Sequence, residues 1–312
     1  MTKEKIMANT SFEGPVRSKN NYKLYSVTTS TGVDSDRTQG FGIKDARRFY
    51  LEEYFYQRPG LNAINVIDPD ANDATALAVT QAANKNFETL GSNYTTALTT
   101  FASTSAGILM TTATADQDQA ILLPHLDTNQ TAWSGTKWGT ENQVEWECSL
   151  QAAQTDNEKI FAGLKLTGTA EGQEVATDND QVYFKYQTDA DNSEAFSDYS
   201  YWHLVHSIGG TDYISQTPVA FAADTPYHLK IVIDSDRKMT YFINGIQYHV
   251  TTTAGSTGGT AVTAVQPSET AVKSAALTND VNLIPYIGIE NGDAAAAVLN
   301  VHYTAISRHV YE

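Results

Sequence analysis

Between residues 201 and 250 apolar and polar positions alternate along the chain. Tyr227, Leu229, Ile231 and Ile233 fall on one side of an extended segment, and His228, Lys230 and Val232 on the other. Such alternation, with β-branched residues, predicts a half-buried strand. Asp234, Ser235 and Asp236 follow, and their side chains bond nearby backbone in turns. The next strand is predicted over 239–243 and stops at Asn244-Gly245, a pair suited to the positive-φ conformations of a tight hairpin, before 246–250 returns. The rhythm holds over much of the chain. Strands are expected at 94–101, 106–113, 119–124, 143–152, 159–167, 181–187, 201–207, 212–217, 227–233, 238–244, 246–250, 282–290 and 297–306. Short strands at this spacing predict an all-β sandwich or jelly roll over 93–312.

The pattern is different before residue 93. Residues 1–44 are rich in Ser, Thr, Asn, Lys and Gly, with scattered apolar spots and a Gly14-Pro15 breaker. They read as an extended N-terminal arm that orders against a partner or the body of the protein, with Phe12, Pro15, Val16, Arg17 and Tyr22 as its docking residues. Residues 45–92 read as a short helical and irregular connection. A helix is predicted over 45–58, where Ala46, Phe49, Tyr50 and Tyr54 share a helical face, Asp45 caps the start and Pro59-Gly60 ends it. Residues 251–279 are of low complexity and are expected to form a mobile loop.

Composition narrows the function classes. The net charge of −16 argues against a nucleic-acid surface, which needs clustered Lys and Arg. No stretch approaches the roughly 20 apolar residues of a membrane span, so no membrane partner is expected. MTKEKIMANT is not followed by the apolar run of a secretory signal. The single cysteine, Cys148, shares a strand face with Trp146 and Leu150 and is expected to be a buried, inert thiol. The absence of internal disulfides fits assembly in a reducing cytosol.

The stretches FEGPVRSKNNY, EEYFYQRPGLNA, DQDQAILLPHLDTNQTAWSGTKWGTENQVEWECSL, IFAGLKLT, LKIVIDSDRKMTYFINGIQY and LIPYIGIENGDAAAAVLNVHYTAISR span most of the chain. They resemble virion structural proteins of tailed phages, notably marine and cyanobacterial ones, with a concanavalin A-like jelly-roll domain. GPVRS resembles an element at the start of otherwise different phage structural proteins, which implies an attachment arm. The resemblance implies a concanavalin A-like antiparallel β-sandwich and a virion protein assembled in the host cytoplasm. The role expected is a non-enzymatic capsid decoration or cement protein, held to capsid or other virion proteins through the arm. A homo-oligomer is implied, with a trimer matching the local symmetry of a shell. The alternative is a tail or fibre adhesin that binds host surface glycan through the jelly-roll loops, and a third reading is a glycoside hydrolase.

The residues that carry chemistry leave these readings to be weighed. Glu145 and Glu147 share one face of a predicted strand, as the paired carboxylates of a glycosidase do. VEWECSL lacks the Glu-x-Asp-x-x-Glu pattern of laminarinase-type enzymes, and acidic residues on the outside of a strand are the simpler account. The seven histidines show no metal-binding spacing, so no zinc site is expected. Two acidic loops, Asp178-Asn179-Asp180 and Asp189, Asp191, Asn192 and Glu194, carry the oxygen ligands that calcium takes, though ordinary solvated loops are the simpler reading and no cofactor is assigned. Trp133, Trp138, Tyr201 and Trp202 are the candidate platform for a sugar, because exposed aromatic rings stack on sugar faces.

Overall fold

The computed structural model describes residues 26–27, 34–35, 48–56, 58–61, 84–91, 93, 98–103, 105–124, 138–166, 179–188, 199–255 and 258–310. The chain separates into two units, Met1–Arg48 and Phe49–Glu312. In chain order the strands are β1 (Ser26–Val27), β2 (Asp34–Ser35), β3 (Arg48–Glu53), β4 (Pro59–Leu61), β5 (Asn84–Leu90), β6 (Thr99–Phe101), β7 (Ile108–Thr111), β8 (Gln119–Pro124), β9 (Trp138–Gly139) and β10 (Glu145–Ala152). They continue with β11 (Glu158–Lys165), β12 (Gln181–Gln187), β13 (Tyr201–Ile208), β14 (Thr211–Ala220), β15 (Tyr227–Ile233), β16 (Met239–Ile243), β17 (Ile246–Tyr248), β18 (Thr260–Ala261), β19 (Asn282–Asn291) and β20 (Val298–His309). β1 and β2 pair with each other within the first unit.

The other strands form the expected β-sandwich of two largely antiparallel sheets. The smaller sheet has the order β17-β16-β15-β10-β20-β7-β6, with β3 also on β20. The larger has the order β18-β14-β13-β12-β11-β19-β8-β5-β4, with β9 also on β19. β4 runs parallel to β5, and β18 parallel to β14.

Side-chain alternation explains the smaller sheet directly. In β10, Trp146, Cys148, Leu150 and Ala152 are buried while Glu145, Glu147, Ser149 and Gln151 are half-exposed. In β15, Tyr227, Leu229, Ile231 and Ile233 point inward and His228, Lys230 and Val232 outward. Successive side chains of a strand point to opposite faces, so one face of each strand meets the core. The Asn244-Gly245 turn joins β16 to β17 with both residues at positive φ, 51° and 78°.

The larger sheet is buried on both faces at its centre. Ile160, Ala162 and Leu164 of β11 and Val182, Phe184 and Tyr186 of β12 enter the shared core. Phe161 and Tyr183 alternate with them and join Ile121, Leu123, Val205, Ile214, Ile284 and Tyr286 in a second buried cluster. That is why β11 and β12 show unbroken burial instead of an alternating pattern.

Two expectations are corrected. Within the segment predicted as a helix over 45–58, Arg48–Glu53 form strand β3, and Phe55 after it has φ 57°. Phe49 packs against the core, Leu51 and Phe55 are buried, and Tyr54 is exposed. An aromatic-rich segment satisfies both periods locally, and pairing with β20 decides the outcome. The connection 45–92 thus contributes β3, β4 and β5 to the sheets.

The stretch 251–279, expected to be a mobile loop, is an ordered strap where it is described. β18 pairs with β14, and isolated bridges join Ala264 to Tyr248 and Ala276 to Lys238. The amide of Val265 donates to the Gln247 carbonyl at 2.9 Å, that of Leu277 to the Arg237 carbonyl at 2.8 Å, and that of Met239 to Ser274 Oγ at 2.8 Å. The strap therefore runs along the margins of both sheets and occupies backbone groups there that an open edge would present to another chain. Its contacts follow edges instead of a repeating face, so no hydrophobic period announces it.

Candidate binding site on the smaller sheet

Two of the tryptophans proposed for a sugar platform, Trp138 and Trp202, are buried and do not contribute to one. Trp202 is fully buried, with its ring 5.4 Å from Phe221, 5.6 Å from Tyr227, 6.1 Å from Tyr186 and 6.4 Å from Phe184. Trp138 is buried 5.7 Å from the ring of Phe49. Both belong to the core, as their large apolar area favours, and neither offers a face to a ligand. Tyr201 is half-buried, at a register irregularity between Tyr201 and His203 at the start of β13. Trp133 lies outside the described residues, as do Phe12, Pro15, Val16, Arg17 and Tyr22.

Of the acidic loops, Asp178, Asp189, Asp191, Asn192 and Glu194 also lie outside the described residues. Asp180 is a buried acceptor, taking hydrogen bonds from the Gly209 amide at 3.1 Å and from the Thr278 hydroxyl. Among the described residues no group of three or more His, Cys, Asp and Glu is arranged to hold a metal ion. Cys148 is buried as expected, and burial, then the charge of Glu147, pushes its thiol well up.

A different set of residues converges on the outer face of the smaller sheet. The register sets Glu147 opposite Lys230 of β15 on one side and Ala305 of β20 on the other, and Glu145 opposite Val232 and Ser307. The Lys230 ammonium donates to Glu145 Oε2 at 2.9 Å and lies 3.6 Å from Glu147 Oε2. His228 Nε2 lies 3.7 Å from the same Glu147 oxygen, and the Tyr303 hydroxyl donates to Glu147 Oε1 at 3.3 Å. His228, then the charge of Lys230, holds the Glu147 carboxyl below the ordinary range against the opposing effect of burial. Burial, and after it the charge of Glu147, raises the Tyr303 phenol.

Three rings line up beside this network. Tyr54 stacks on Tyr303 at 5.7 Å, and His228 stacks on Tyr303 at 6.0 Å. Tyr54 remains 54% exposed, so its ring is both supported from below and accessible. Burial and the charges of Glu52 and Glu147 raise its phenol. A cleft of about 120 Å³ is lined by Tyr50, Glu52, Glu145, Glu147, Lys230 and Ser307, among others. Ala305, across from Glu147, also lines the cleft and contributes only a methyl group there.

Sequence reading placed Glu145, Glu147, His228 and Lys230 on outward strand faces but had no means to pair them. It missed Tyr54 and Tyr303. The signal for Tyr54 lies in FYLEEY, where Tyr50, Glu52 and Tyr54 alternate with Phe49, Leu51 and Glu53.

One buried group stands apart from this face. Glu158 begins β11 with its side chain fully buried, and neither carboxyl oxygen meets a hydrogen-bond donor among the described residues. Burial, and after it the charge of Asp156, pushes its carboxyl up to about 9. The buried Glu290 nearby contrasts with it, accepting from Lys159 at 2.5 Å and Gln119 at 2.8 Å.

No protein-family model matches the chain, and no curated protein matches it. Solved structures match in backbone course only. A β-glucanase of Bacillus licheniformis aligns over 84% of this chain and 99% of its own at 8% identity, with a TM-score of 0.42. The potassium-bound carbohydrate recognition domain of Emp46p aligns over 82% and 98% at 7% identity, with a TM-score of 0.42. Peanut lectin aligns over 84% and 97% at 10% identity, with a TM-score of 0.40.

Proposed function

We propose that this chain is a non-enzymatic structural protein of a tailed-phage particle, a capsid decoration protein that attaches through its N-terminal segment and displays the sandwich. The observation that carries the reading is the division of the chain after Arg48 into two units, with every described strand of the sandwich starting at or after that residue. The resemblance of FEGPVRSKNNY to a phage attachment element adds to it. The state of the carboxylates supports a role without catalysis. A glycosidase pair needs one carboxyl with a raised pKa to protonate the leaving group. Glu147 is shifted the other way, and Lys230 is ion-paired to Glu145.

In this reading the partners are capsid subunits and further copies of the chain, and the particle is assembled in the host cytoplasm. Among the described residues, every strand of the sandwich lies beyond residue 44. The truncated protein is expected to keep the circular dichroism and cooperative melting of the full chain while losing incorporation into particles, read by gel densitometry of purified virions. Full occupancy by the truncated protein would defeat the attachment role. A tail or fibre adhesin that holds host glycan is the second reading, favoured by the exposed Tyr54 ring, stacked on the Tyr303 that donates to Glu147 of the carboxylate–lysine cleft.

A further inference from the structure

We propose that the outer face of the smaller sheet, between the exposed Tyr54 ring, stacked on the Tyr303 that donates to Glu147, and the cleft lined by Glu145, Glu147 and Lys230, binds a single pyranose ring of an uncharged sugar. The site deepens the adhesin reading by giving it a location, yet it does not depend on where in a particle the protein sits.

Three features argue for it. The first is the platform. Tyr54 is 54% exposed and is held by the Tyr54–Tyr303–His228 stack, so its orientation is fixed before a ligand arrives. The apolar C–H face of a pyranose buries well against such a ring, and a preformed platform loses little entropy on binding. The second is the alternation of acceptors and donor. Lys230 stands between Glu145 and Glu147, at 2.9 and 3.6 Å. Adjacent sugar hydroxyls each donate and accept, so an acceptor–donor–acceptor row matches them, whereas a lone acidic cluster would select a cation. The third is the space. Ala305 opposite Glu147 leaves the floor open, and a cleft of about 120 Å³ suits one ring and not an extended chain.

The charge balance selects among sugars. Among the described residues that line the cleft, the carboxylates Glu52, Glu145 and Glu147 outnumber the one ammonium, Lys230, which disfavours a uronate or a sulfated sugar there. All the groups except Tyr54 stand on strands paired to neighbours, which fixes their spacing.

The test uses the full chain and ligand-observed saturation-transfer NMR with the methyl glycosides of glucose, galactose, mannose and N-acetylglucosamine. At least one glycoside is expected to receive saturation on its ring protons. Its affinity is expected to fall about tenfold in Tyr54→Ala, the loss of one stacking contact. Ala305→Leu, which fills the floor without touching a charge, is expected to abolish the transfer. Both variants are expected to melt close to the unsubstituted protein, because Tyr54 is exposed and Ala305 half-exposed. Absence of transfer to all four glycosides, or equal transfer in both variants, would overturn the site. Binding of an oligolysine peptide with none of the glycosides bound would also overturn it, by making this face an acidic docking surface. None of these results bears on whether residues 1–44 attach the protein to a particle.

Discussion

Trp202→Ala is expected to lower the melting temperature by roughly 10 °C. Trp202 is fully buried among Phe184, Tyr186, Phe221 and Tyr227, where β12, β13, β15 and the chain after β14 meet. Removing a buried Trp costs about 3–5 kcal/mol, through lost transfer energy and an incompletely collapsed cavity. Domains are stable by only about 5–15 kcal/mol in total, so the loss is a large fraction. Tyr201→Ala, one residue away and only half-buried, is the control. Tyr201 is half-buried, and its truncation is expected to cost much less. Thermal unfolding of both variants followed by circular dichroism makes the comparison. A Trp202→Ala protein that melts like the unsubstituted chain would place the indole outside the core and return it to the list of possible ligand contacts.

Glu158→Gln is expected to stabilise the protein, by an amount that depends on pH. In the folded chain the buried Glu158 carboxyl is pushed up to about 9 from an ordinary 4.5. Between these values the folded state keeps a proton that the unfolded chain releases. Stability contributed by that proton is present below about 4.5 and is lost as the pH rises toward about 9. The slope is about 1.4 kcal/mol for each pH unit where the shift is fully expressed. Glutamine has nearly the same shape and no proton to lose. The melting temperature of Glu158→Gln is therefore expected to match the unsubstituted protein near pH 4.5 and to exceed it increasingly toward pH 9. A difference that stays constant with pH would show that another group titrates. The buried Glu290 is a useful contrast. Lys159 and Gln119 hold it, so Glu290→Gln disrupts a satisfied pair and is expected to destabilise at neutral pH.

The sandwich was legible wherever one face of a strand meets solvent. Tyr227 to Ile233 alternates cleanly because His228 and Lys230 stand outside, and Asn244-Gly245 marks its hairpin in two letters. The same logic failed at Phe49 to Tyr54, where rings occupy both faces and helical spacing is satisfied by accident. It failed again at 251–279, whose hydrogen bonds follow two sheet edges and leave no period. Trp202 was open to a better reading, since Leu204 shares its face and points to the core.

The cleft was hidden for a different reason. Glu145 and Lys230 are 85 residues apart, and Glu147 and Tyr303 156 apart, so only strand order and register bring them together. Alternation tells which way a side chain points from its own strand. It does not tell which strand lies alongside, and the outer-face residues of β3, β10, β15 and β20 acquire a joint meaning only after the sheet is assembled.

The measurement that bears most directly on the proposed role is copy number per purified particle, by quantitative mass spectrometry against the major capsid protein. Decoration of a shell predicts a count on the scale of the capsid protein. A count on the scale of the tail parts would contradict decoration and favour the adhesin, and absence from the particle would contradict a structural role in the virion altogether.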